Sequence, residues 1–70
     1  MDWTSDATGR TYTCTVGDYQ AMIWHTANGA WDALVSQGHV AVAHRRCATL
    51  KEAQGWCLIH LAEGITKERQ

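Results

Sequence analysis

The sequence predicts an α+β fold: an antiparallel β-meander of four strands, or three, with one C-terminal helix packed on one face. Two observations carry this. Four short runs, residues 11–16, 19–26, 30–36 and 39–45, are each bounded by turn signals, Gly17-Asp18, Asn28-Gly29 and Gln37-Gly38. After them, Thr49-Leu50-Lys51-Glu52 reads as a capping box, with a hydroxyl at the N-cap and a carboxylate three residues on.

Strand register follows from the turns. A two-residue hairpin at Gly17-Asp18 sets Val16 opposite Tyr19, Cys14 opposite Ala21 and Tyr12 opposite Ile23. At the second turn, Asn28-Gly29 alone would place Ile23 on the face of Leu34 and away from Trp31. A three-residue loop, with Ala27, Asn28 and a left-handed Gly29, instead sets Ile23 opposite Ala33 and His25 opposite Trp31. The third turn is read as setting Val35 against Val40 and Ala33 against Val42. One face then collects Tyr12, Cys14, Val16, Tyr19, Ala21, Ile23, Trp31, Ala33, Val35, Val40 and Val42. Its uniform apolar character supports the register, because a one-residue slip would turn a strand inside out.

In the helix, Leu50, Ala53, Cys57 and Leu61 share one stripe of the 3.6-residue wheel, flanked by Trp56, Leu58 and His60. This stripe is expected to meet the sheet, and Ile59 and Glu52 to point away from it. The helix is expected to run to about Glu63 and stop at Gly64.

At 70 residues the chain reads as a single domain, residues 1–70, with an ordered core over about 10–64 and polar ends, 1–9 and 65–70, that fray. An apolar fraction of 46% with four Trp and no Pro is globular composition. The three cysteines leave one unpaired under any single-bridge scheme, and the start of the chain lacks a signal-peptide pattern. A reducing, cytoplasmic location is expected. Apolar runs are broken well short of the roughly 20 residues of a membrane span, so no membrane association is expected.

One helix covers one face, so the other is expected to be open. That face is read as Thr11, Thr13, Thr15, Gln20, Met22, Trp24, Asp32, Leu34, Ser36, Ala41, Ala43 and Arg45. Within it Met22, Trp24 and Leu34, with Ala41 and Ala43 alongside, form a contiguous apolar patch of the kind that binds a partner. The expected function is therefore a non-catalytic interaction or self-association module, with a protein partner or a second copy on this face. A competing arrangement folds the N-terminal segment, with Trp3, back over the patch.

The alternative is a single-stranded DNA- or RNA-binding domain, in which Trp24 stacks a base and Arg10, Arg45, Arg46 and Lys51 meet phosphate. A formal net charge of −1 works against it. Catalysis is not expected, since no base is placed to activate Cys47 ahead of the helix N-terminus and the His25/Asp32 pair falls on opposite faces. His44-x2-Cys47 and Cys57-x2-His60 have metal-like spacing. Cys57, however, lies about 12 Å along the helix from Thr49, with only His44 level with it, so neither metal nor cofactor is expected.

The meander leading into Ala48-Thr49-Leu50-Lys51-Glu52-Ala53-Gln54 resembles short bacterial and phage domains of uncharacterised function, in which strands precede a helix opening with a Thr/Ser-Leu-x-Glu-Ala stretch. The pattern also looks distantly like antitoxin domains with a partial RNase H fold and like double-stranded RNA-binding domains. The first of these needs a strand after the helix and the second a helix before the strands. No functional residue carries over from any of them.

Overall fold

The computed structural model describes residues 3–68, with side-chain surroundings through residue 64. It is α+β, as expected, but the sheet has five strands: β1 (Thr4–Ser5), β2 (Thr11–Val16), β3 (Tyr19–His25), β4 (Trp31–Gln37) and β5 (Val40–Cys47), followed by α1 (Leu50–Glu68). All neighbours are antiparallel and in sequence order.

The added strand arises where a frayed end was expected. Thr4 pairs with Thr13 and Ser5 with Tyr12. A turn after it is organised by Asp6, whose Oδ1 accepts the backbone N–H of Arg10 at 3.0 Å and of Thr11 at 3.4 Å and the Thr8 hydroxyl at 3.0 Å. Trp3, one residue before Thr4, falls on the helix side and packs against the core. It does not cover the open face.

The first two hairpins have the expected registers, Cys14 opposite Ala21 and Ile23 opposite Ala33. Gly29 takes the left-handed conformation, φ 83°, that the three-residue loop demands. The third hairpin differs. Gly38 has φ 60°, which suits the first central position of a two-residue turn, so Gly38-His39 is the turn and Gln37 pairs with Val40. Beyond it a β-bulge interrupts the ladder: Ser36 faces Ala41, but Val35 faces Ala43. The inserted residue, Val42, inverts the parity of everything after it. Ala43 and Arg45, expected on the open face, lie on the helix side opposite Val35 and Ala33, whereas His44 and Arg46 lie on the open face opposite Leu34 and Asp32.

The core lies between α1 and the sheet. Ala21, Ile23, Ala33, Val35, Ala53, Cys57 and Leu61 are all fully buried, and Cys14, Tyr19 and Cys47 nearly so. The helical stripe is the expected one, with Ile59 pointing to solvent. Val40 and Val42, expected in the core, are 65% and 49% exposed. The helix packs mainly on β4 and β3 and leaves the first half of β5 uncovered.

Thr49 caps the helix: its hydroxyl accepts the N–H of Glu52 at 3.1 Å. The Glu52 carboxylate turns instead to Arg45, at 3.9 Å. The expected stop at Gly64 is absent, since α1 continues to Glu68. Gly64 serves clearance: a Cβ there would lie 2.6 Å from Cζ of Tyr19. The fraying expected at residues 1–2 and 69–70 falls outside the described residues, as do the side chains of 65–68.

Two helical glycines should therefore respond oppositely to alanine. Gly55→Ala meets nothing within 4 Å and should stabilise by up to about 1 kcal/mol through helix propensity. Gly64→Ala forces Tyr19 aside, an overpacking cost of about 1–3 kcal/mol that offsets or exceeds the same gain. Urea denaturation checks this, and equal stabilisation by both would contradict the close Tyr19 packing.

Candidate functional site: the open sheet face

The face away from the helix is built in three cross-strand rows. Thr11, Trp24, Asp32 and Arg46 form one; Thr4, Thr13, Met22, Leu34 and His44 form the next; Thr15, Gln20, Ser36 and Ala41 form the third. Polar threonines line one side and the apolar residues gather at the centre. Met22, Trp24 and Leu34 are half-buried, and Ala41 is exposed at the end of the face. These four residues keep their expected place. Ala43 does not belong to this set, because the bulge turns it toward the core.

His44 joins the site in its stead. Its ring stacks on Trp24 with centroids 6.3 Å apart and planes 28° from parallel. β3 and β5 are two strand spacings apart, about 9.6 Å, so the rings lean toward each other over β4. Asp32 lies opposite Trp24 on β4 and is only 7% exposed. A carboxylate withdrawn from water needs compensation. Arg46 supplies it, donating from Nε to Oδ1 at 2.9 Å. The same hydrogen bond and charge hold the Arg46 guanidinium above its ordinary pKa.

This geometry separates the cations expected for nucleic acid. Only Arg46 shares a face with Trp24, and it is held by Asp32. Arg45 lies on the helix side beside Glu52, and Lys51 is an exposed helical residue. Arg10 lies opposite His25, whose ring packs on Trp31, at the helix-side end of β2. Among the described residues no basic stripe flanks the indole.

The cysteine and histidine residues also divide. His44 is on the open face, whereas Cys47 and Cys57 are buried beneath the helix and His60 packs against Trp56 with ring centroids 4.5 Å apart. Among the described residues no group of three or more potential ligands forms a metal site. Cys47, just ahead of the helix N-terminus, is pushed up in pKa by burial and by the Glu52 and Asp32 carboxylates, against the opposing effect of Arg45. Burial, with Cys47 and Cys14 nearby, pushes Cys57 up to about 12. No helix among the described residues is long and apolar enough to cross a membrane.

The raised thiols have a pH consequence. The unfolded state loses its Cys57 proton near the ordinary value of about 8.5–9, while the folded state holds it until about 12. Stability from this thiol is therefore complete below about pH 8.5 and falls as pH rises through that window, by up to about 1.4 kcal/mol per pH unit. Urea midpoints from pH 7 to 10.5, with Cys57→Ala as control, check it; an identical decline in the variant would contradict the assignment. Comparison of the chain with protein-family models, curated proteins and solved structures found no match, so the functional reading rests on this geometry.

Proposed function

We propose that the chain is a non-catalytic interaction module whose open sheet face docks a protein surface, either a partner or a second copy. The observation that supports this most directly is the central patch: Trp24 stacked on His44, with Met22 and Leu34 beside them, on a face that neither the helix nor residues 3–5 cover. Among the described residues the only opposite charges on it, Asp32 and Arg46, neutralise each other. Such a face neither repels a flat apolar surface nor attracts a polyanion. The scattered cations give the nucleic-acid alternative less support.

Size limits the affinity. Five strands about 4.8 Å apart and roughly 20 Å long present a footprint of about 400 Å², against about 800 Å² per partner in a standard interface. Docking here is expected to be transient, with dissociation constants in the high micromolar range or weaker unless the partner also engages the rim.

Leu34→Asp and Trp24→Ala should keep the circular dichroism of the native fold and reduce partner capture or face-to-face self-association at least tenfold. Sedimentation and nuclear magnetic resonance titration measure this. Unchanged binding in both variants would remove the proposal. Retention of a single-stranded oligonucleotide at low salt, lost in Arg45→Glu/Arg46→Glu, would favour the nucleic-acid alternative.

A further inference from the structure

The outer edge of β5 is a second surface, separate from the open face. β5 ends the sheet, so half of its backbone N–H and C=O groups have no strand partner, whereas the opposite edge carries β1. Exposed edges of this kind template a further strand. Eight residues are available, and Val40 and Val42 on them are largely solvent-exposed. The usual edge guards are engaged elsewhere, Arg46 with Asp32 and Arg45 loosely with Glu52.

We propose that this edge pairs antiparallel with the β5 of a second copy, about a two-fold axis between Val42 and Ala43, joining two sheets into one. The register follows from the bulge. Val40, Val42, Ala43 and Arg45 face the helix side, and Ala41 and His44 the open side. An axis between Val42 and Ala43 sets Val42 opposite Ala43, Ala41 opposite His44 and Val40 opposite Arg45, so every pair shares a face. An axis between Ala43 and His44 would set helix-side against open-side residues, and one through Arg45 would oppose two guanidinium groups. In the proposed register the two Arg45 positions lie five residues apart along the seam, about 16 Å, beyond the ~8 Å screening length of physiological salt.

Charge complementarity supports the same register. Beside β5 on the helix side is a cleft of about 370 Å³ lined by Tyr19, Gln37, Val42, His60, Glu63 and Gly64. Glu63 is its one carboxylate, and the ion partner it has, His60 at 4.0 Å, is charged only when protonated. Gln37 is the cross-strand partner of Val40. Arg45 of the second copy, placed opposite Val40, therefore arrives at the mouth of this cleft, where its stem lies along Val42 and its guanidinium meets Glu63. Symmetry repeats the pair, while Val40, Val42 and Ala43 supply an apolar seam between.

Sedimentation velocity of the full chain between 20 µM and 1 mM tests this, with hydrogen exchange of the β5 amides as a second readout. A concentration-dependent dimer with protected amides over residues 40–45 is expected. Val42→Lys should abolish it, Glu63→Arg should weaken it roughly tenfold, and Glu63→Arg/Arg45→Glu should restore it to within about threefold. Leu34→Asp should leave it unchanged, which separates this edge from the open face. A monomer at 1 mM overturns the proposal, as does a dimer lost in Leu34→Asp but kept in Val42→Lys, or a charge-swapped pair that shows no recovery while its β5 amide spectrum remains native.

Discussion

One helix must seal one side of a five-stranded sheet, and the reach of that helix sets the rest of the structure. Contact is made through small side chains: Ala21 and Ala33 from the strands and Ala53 and Cys57 from α1 are fully buried, with Ile23, Val35 and Leu61 filling the volume between. Small residues let a helix approach closely, and close approach raises the cost of anything added there. Gly64 over the Tyr19 ring is the limiting case. What lies beyond the helix stays in water, which is why the apolar start of β5 is exposed although its composition matches the core.

Charge placement follows the same geometry. Asp32 is withdrawn from water and held by Arg46, Arg45 is drawn to the carboxylate at the helix start, and Asp6 is used to close the turn after β1. Desolvation works to raise the Asp6 pKa, but the hydrogen bonds from Thr8 and from the backbone of Arg10, Thr11 and Gly9 outweigh it and leave it lowered. The chain has few charges to spare for long-range attraction, in keeping with surfaces that act through shape and apolar contact.

Much of this was legible in the residues, and the exceptions have physical reasons. The β2–β3 and β3–β4 registers could be read because turn chemistry and alternation agree there. In β5 they could not, because Val40-Ala41-Val42-Ala43 is apolar at every position and alternation carries no parity. Hence the pattern alone puts Ala43 on the wrong face and leaves His44 out of the site. Only the possible pairing of Asp32 with Arg46 hinted at a bulge. β1 is too short for any period, although Asp6-x-Thr8-Gly9 is turn chemistry that could have revealed it. Gly64 resembled a helix stop because its clearance over Tyr19 exists only in three dimensions. Met22 and Trp24 were legible since β3 is fixed by hairpins on both sides, and Leu34 since the β3–β4 register sets it opposite Met22.

The inserted residue at Val42 has a consequence for how such a chain changes through descent. Loss of its codon would close the pleat and leave Ala41 against Ser36 and Ala43 against Val35, so the outward identities of the final five residues would survive. Straightening the strand at its present length would exchange them, carrying the imidazole beneath the helix, bringing Ala43 and the Cys47 thiol into view and leaving the indole without its stacking neighbour. The irregularity in this strand, more than its side-chain chemistry, is the feature on which the two surfaces of the sheet depend.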